Sequence, residues 1–261
     1  MKKKSFFTSF YPILMTVLTY LPILVVVVYS FNESRLTSSF EGFSLKWYKL
    51  LFSDEAMLTA LLNSLLLALS SSCLAAIIAT SAALGFKKAR IFGKALIEKA
   101  SLLPLIIPEI ILGMVFMAFF SLMGFKFGFV TLLIAHTAFC IPYVYTQVSA
   151  RIETLDPSCI EASRDLGASG IHTFFSITLP LIFPSILSGM FLSFAMSFDD
   201  VIISVFCTGS TVNTLPVMVY TQLKTGVTPQ INALCTLMLF VTLLFYALSA
   251  IIKRKNKGEI K

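Results

Sequence analysis

The sequence predicts an all-α, polytopic membrane protein with six transmembrane helices. Three observations carry that expectation. Of the 261 residues, 57% are hydrophobic and only 13% are charged, against roughly a quarter charged in ordinary soluble domains. The mean hydropathy is +0.90. The apolar residues come in unbroken blocks, whereas an outer-membrane barrel strand alternates apolar and polar positions. The same figures exclude a water-soluble globule and a disordered chain. At about 20 residues per crossing, the chain has room for one membrane domain, residues 1–261, and for no large soluble domain.

The apolar segments lie at about 11–31, 58–84, 101–123, 128–149, 180–206 and 231–252. Met1-Lys2-Lys3-Lys4 resembles the start of a signal peptide. The apolar run behind it is too long for one, and no small-residue cleavage site follows, so it reads as a retained first helix. Orientation follows from the basic residues. One side takes the N-terminal lysines, Lys87, Lys88, Arg90, Lys94, Lys99, Arg151, Arg164 and the C-terminal cluster from Lys253, fifteen of the 20 Lys and Arg. Arg35, Lys46, Lys49, Lys126 and Lys224 fall on the other. The positive-inside rule then places both termini in the cytoplasm. It also accounts for the net charge of +7 without any nucleic-acid partner.

Little in the chain looks like catalysis. The five cysteines form no C-x-x-C pair and most sit in apolar runs, so neither a disulfide framework nor a metal site is expected. The nearest approach to a phosphate-binding loop, Gly85 to Lys94, has its glycines eight apart rather than five, and Ala95 stands where a magnesium-binding Ser or Thr belongs. His136, in the fourth span, is expected to make a local hydrogen bond, and His172 to be solvated. The longest outer loop, about 32–57, carries Phe43, Trp47 and Tyr48. Two readings stay open for that cluster: an interfacial aromatic anchor, or an external surface that meets a partner or substrate.

The cytoplasmic loop at about 151–180 is organised differently. Asp156-Pro157 is a helix start, with a short helix from Pro157 to Leu166 and Gly167 as the residue that closes it. Ser169 caps a second helix, which Pro180 ends or kinks. That second helix bears an apolar stripe, Ile171, Phe174, Phe175 and Ile177. The stripe either packs on the ends of the chain's own spans or docks a separate subunit. Glu161-Ala162-Ser163, three residues, Gly167, nine residues, and then Ile177-Thr178-Leu179-Pro180 resembles the EAA signature of bacterial ABC-importer permeases, E-A-A-x3-G-x9-I-x-L-P. The single departure is Ser163 for the second alanine.

The resemblance implies the type I importer-permease (MetI-like) fold in a bacterial inner membrane. It also implies a coupling helix seated in a groove of a cytoplasmic ATPase dimer. Glu161 would be the charged contact and Gly167 the turn, with Ala162, Ser163, Ile177, Leu179 and Pro180 completing the coupling segment. ATP and magnesium would be held by that separate ATPase, leaving this chain without a cofactor. A sister permease and an extracytoplasmic binding protein would complete the assembly.

Acids inside spans point to the cargo. Glu109 falls in span three, and Asp199 and Asp200 fall in span five, with no Lys or Arg in any span to neutralise them. Each ionised group at the bilayer centre costs roughly 2.5–3.5 kcal/mol. At 1.5 Å per residue, Glu109 would lie ~12 Å from the cytoplasmic start of its span and Asp199 ~28 Å from Pro180. Adjacent helical residues point ~100° apart, so Asp199 and Asp200 cannot both face one spot. Pro104 and Pro108 should kink span three beside Glu109 and free backbone carbonyls. Carboxylates, carbonyls and aromatic rings suit a cation and repel an anion.

Several stretches resemble the spermidine/putrescine branch of the family: Ser30 to Arg35, Gly42 to Tyr48, His136 to Val144, and Ser197 to Phe206. The run Tyr220 to Leu234 is similar as well. That resemblance implies a polyamine cargo, with Trp47, Glu109, Ser197, Asp199 and Asp200 as the substrate-path residues. Its rivals are a permease of the same family for another cation, such as ferric iron, thiamine or an opine-like compound, and a proton-coupled secondary transporter using the same acids. A non-transporting scaffold fits the bare intramembrane acids poorly.

Overall fold

The computed structural model describes residues 6–35, 39–88, 94–226 and 228–258. Among these, regular structure is helical apart from one isolated bridge between Asn32 and Phe43. Of the basic residues that set the expected orientation, Lys2, Lys3, Lys4, Arg90 and Lys261 lie outside the described residues. The chain forms two compact units, Met1–Leu58 with Val219–Lys261, and Thr59–Met218.

In the first unit, α1 (Phe6–Tyr29) and α2 (Lys46–Ser53) pack against α12 (Pro229–Gly258). Gln230 Nε2 donates to Asp54 Oδ2 at 2.9 Å, tying the start of α12 to the end of α2. The loop between α1 and α2 folds around Asn32, which is fully buried. Its side chain accepts from Glu41 N at 2.9 Å and donates to the Ser39 carbonyl at 2.7 Å. Phe31 stacks on Phe43 at 5.2 Å between ring centroids.

The second unit is built on α3 (Glu55–Lys88), α5 (Glu109–Leu122), α6 (Phe129–Glu153), α9 (Leu179–Asp199) and α10 (Ile202–Cys207). The inner face of α3 is lined by small residues, among them Ala68, Ser71, Ala75, Ala79 and Ala83, all buried. Small side chains let membrane helices approach closely, because packing rather than the hydrophobic effect drives their association. Leu62, Leu66, Leu69 and Ile77 on the other side are exposed, as a helix bathed in lipid requires.

The contact between α6 and α9 is closer still. A Cβ at Gly189 would stand 2.9 Å from the Val144 Cα. The obstacle is backbone and cannot swing away, so Gly189→Val is expected to destabilise the fold by about 1–3 kcal/mol. A lowered Tm of the purified protein in detergent checks this; an unchanged Tm would mean that α6 and α9 separate without cost.

Among the described residues, four helices are long and apolar enough to cross a membrane, at Phe10–Tyr29, Glu55–Lys87, Phe129–Glu153 and Gly170–Asp199. A fifth forms if the bent pair Ala95–Leu105 and Glu109–Leu122 is one span, and Pro229–Leu243 is a shorter apolar helix. Two expected spans are corrected. Span three is broken rather than kinked. After α4 (Lys94–Ser101) comes a 3-10 turn, Leu103–Leu105, and the two parts of the pair meet at 107°. Pro104 and Pro108 each remove a donor, and Pro108 also bars Ile107 from helical geometry. Span five does not run to 206: α9 ends at Asp199, and the chain turns at Asp200 (φ −68°, ψ 125°) before α10.

The loop after α6 matches its expected outline. α7 (Ser158–Asp165) is closed by Gly167 at φ +83°, and α8 (Gly170–Thr173) is capped by Ser169 Oγ, which accepts from His172 N at 3.3 Å. Pro180 does not end the second helix. A π-turn, Phe174–Thr178, precedes it, and this wider turn makes room for the proline ring against the preceding carbonyls. Helix therefore continues from Gly170 into α9.

Candidate functional site

Glu109 is the first residue of α5 and is partly exposed. A carboxylate in the first turn of a helix is stabilised by the free N–H groups there. The bend before it also puts it at a helix end, so counting rises along a straight span does not give its depth. Position of α5 depends on α10: a Cβ at Gly113 would meet the Phe206 ring at 2.5 Å, leaving room only for glycine.

Asp199 and Asp200 divide at the turn that follows α9. Asp199 closes the helix and is exposed, while Asp200 is 7% exposed and faces inward. Its Oδ1 accepts from Ile203 N at 3.3 Å, and its Oδ2 accepts from Ser204 N at 2.8 Å and from Ser204 Oγ at 3.0 Å. Asp200 thus caps the first-turn N–H groups of α10 from the position before its N-cap residue, Val201.

Ser197 is buried as well, with its Oγ 3.0 Å from Ser71 Oγ and 2.8 Å from His136 Nδ1. The other ring nitrogen of His136 is 3.1 Å from Ser204 Oγ and 3.5 Å from Asp200 Oδ2. The structure therefore brings Ser197 and Asp200 together through His136, a residue that sequence reasoning assigned to a local bond. Its partners are 61 and 68 residues away. The one signal in the chain was an imidazole placed inside an apolar span, where its polar ring needs partners.

Trp47 belongs to the first unit. It is 6% exposed, and its indole N–H donates to the Asn32 carbonyl at 2.7 Å. Trp47→Phe keeps an aromatic side chain, though a smaller one, and leaves that buried carbonyl without its donor, which costs about 1–3 kcal/mol. Faster proteolysis within the 32–57 loop is the expected outcome, and an unaltered digestion pattern would count against it.

The segment expected to couple to an ATPase is ordered by its own hydrogen bonds. Asp156 Oδ1 accepts from Ser158 N at 2.9 Å, and this bond holds the exposed Asp156 carboxyl below the usual carboxylate range. At the far end Gly167 N donates to the Arg164 carbonyl at 2.8 Å and Ala168 N to that of Ser163 at 3.1 Å. That pair is a Schellman closure, which needs a left-handed residue at Gly167. Ser163 Oγ lies 3.0 Å from Thr173 Oγ1, both residues buried. The serine that departs from the signature thus ties α7 to α8.

Glu161 and Ala162 are exposed, Pro180 is exposed, and Ile177 and Leu179 are partly buried. Of the apolar stripe, Ile171 and Phe175 are 74% and 61% exposed, and Leu166 beside them is 89% exposed. Lys87 Nζ donates to the Ile152 carbonyl at 2.8 Å, and Arg151 Nε to that of Leu181 at 3.1 Å. These bonds join the ends of α3, α6 and α9 on the side where α7 sits. Among the described residues no group of three His, Cys, Asp or Glu could hold a metal ion.

Comparison with known proteins bears on the family and the fold. Residues 72–257 match the family described as "Binding-protein-dependent transport system inner membrane component". The chain is 37% identical over 237 residues to the spermidine/putrescine transport system permease protein PotC of Haemophilus influenzae, covering 91% of this chain and 92% of that one. It is 35% identical to PotC of Escherichia coli K12, covering 98% and 97%. The putrescine transport system permease protein PotI of Escherichia coli K12 is 39% identical over 84% of this chain and 81% of its own.

Among solved structures, a bacterial ABC transporter involved in import of the acidic polysaccharide alginate superposes with a TM-score of 0.68 at 13% identity, covering 97% of this chain and 98% of that one. An amino acid ABC transporter gives 0.60 at 18% identity, covering 82% and 100%. These two likenesses establish the fold. The chain belongs to the family of binding-protein-dependent transport system inner membrane components, as a multi-pass membrane permease and a transport component rather than an enzyme.

Proposed function

We propose that this chain forms half of the translocation path for a polyamine, spermidine or putrescine, in an ATP-driven importer. Both termini lie in the cytoplasm. Its partners are a sister permease, a cytoplasmic ATPase dimer docked on α7, and an extracytoplasmic binding protein that delivers the cargo. The observation that carries this reading is similarity along nearly the whole chain to permeases of spermidine/putrescine transport.

The site chemistry supports it. Glu109 and Asp199 are at least partly exposed carboxylates at helix ends, and a flexible polycation is drawn to separated acids and aromatic faces. Alternating access would follow from rigid-body motion of the spans attached to α7 and α8. The test is ATP-driven uptake of labelled spermidine and putrescine by the purified complex in proteoliposomes. Uptake that needs ATP and is competed by unlabelled polyamine supports the reading. Uptake of another cation in place of polyamine would assign a different cargo.

A further inference from the structure

We propose that His136 is a positioning residue for transport: it locks the turn between α9 and α10 and thereby fixes where Asp199 stands. The inference rests on the reading of Asp199 as a cargo-path acid. It assigns Asp200 and Ser197 to the frame of the site and leaves Asp199 as its outward-facing member.

The hydrogen-bond inventory leads there. Ser204 Oγ donates to Asp200 Oδ2 at 3.0 Å, the oxygen that also accepts from Ser204 N at 2.8 Å. The Ser204 hydrogen is therefore committed to Asp200, and its lone pairs face His136 Nε2 at 3.1 Å. Nε2 must carry the hydrogen in that contact. In the neutral ring Nδ1 is then the acceptor for the Ser197 hydroxyl at 2.8 Å.

The chain of bonds runs from α3 through α9 and α6 to α10, and every side chain in it is buried. The turn it encloses is the one place where α9 stops short. Asp199 and Asp200 are adjacent, so a rotation of the backbone at Asp200 that lost its α10 cap would carry Asp199 with it. Buried networks of this kind are worth more than single bonds when every member is satisfied.

Two measurements on the reconstituted complex test this, and the first needs no cargo. Hydrogen exchange over residues 199–207 is followed in wild type and in His136→Phe, which keeps an aromatic ring but turns it apolar toward both serines. The Ile203 and Ser204 amides are expected to exchange about ten-fold faster in the variant, and His136→Gln, which retains an N–H donor, to recover most of the protection. Unchanged exchange there would overturn the proposal. If His136→Phe does not accumulate in membranes, Ser204→Ala removes the same link without touching α6 and is read in the same way.

The second measurement is a double-mutant cycle on spermidine uptake. His136→Phe alone is expected to lower uptake about ten-fold, but by less than about two-fold when added to Asp199→Asn, because both act on one carboxylate. Losses that multiply in full would make His136 structural rather than positioning, and would overturn it. If the wild-type complex takes up no spermidine, the cargo reading fails, and the exchange experiment still decides the role of His136.

Discussion

Spermidine uptake is expected to fall about ten-fold or more in Asp199→Asn and in Glu109→Gln, with normal amounts of protein in the membrane. The size follows from the charge. A hydrogen bond between an ammonium and a carboxylate contributes about 1.5–3 kcal/mol, and each 1.4 kcal/mol is roughly ten-fold. The two substitutions remove charge but keep shape and polarity, and both side chains are at least partly exposed at helix ends, so folding is spared.

Spermidine carries several separated ammonium groups, so acids on two different helices can each take one. The double variant is then expected to lose close to the product of the single losses. Asp200→Asn provides the contrast. Asp200 receives three hydrogen bonds, and an amide offers one oxygen in place of two. This variant should lower Tm as well as uptake. Full uptake in both Asp199→Asn and Glu109→Gln would remove these acids from the path.

The contrast between those neighbours also marks where the sequence was legible. Unbroken apolar blocks announced the helical membrane class, because lipid permits little else at that composition. Asp156, Gly167 and Ser169 announced the geometry of α7 and α8, since caps and closures are local chemistry. The end of α9 was hidden. Hydropathy runs on through Val201 and Ile203, and the break depends on Asp200 capping α10, a choice that competes with simply continuing the helix. Pro104 and Pro108 were visible, but two prolines are compatible with a mild kink as well as with a 107° bend, and the distant packing beyond the bend, such as Phe206 against Gly113, has no local sign. His136 was least legible, because its hydrogen bonds reach over 61 and 68 residues and nothing near it in the chain indicates them.

Gly167→Pro is expected to separate ATP hydrolysis from transport: uptake falls more than about ten-fold while the assembled complex still hydrolyses ATP. The argument is conformational. Gly167 sits at φ +83° with open space where a Cβ would project, so crowding does not demand glycine there. Backbone geometry does. Alanine in the left-handed region costs about 1–2 kcal/mol and leaves the corner in place, so Gly167→Ala should keep most of its uptake. Proline is held near φ −65° and has no N–H. It must abandon the corner and also the bond from Gly167 to the Arg164 carbonyl.

The direction of α7 relative to α8, which runs on into α9, would then change. Leu166, Ile171 and Phe175, exposed around that corner, would no longer present one face to the ATPase. Glu161→Lys reaches the same end by charge alone, since Glu161 is exposed and its reversal leaves the helix intact. A lever must be stiff at its corner and matched at its contact, and these two variants remove one property each. Normal ATP-driven uptake in both would mean that the spans are moved through some other part of the chain.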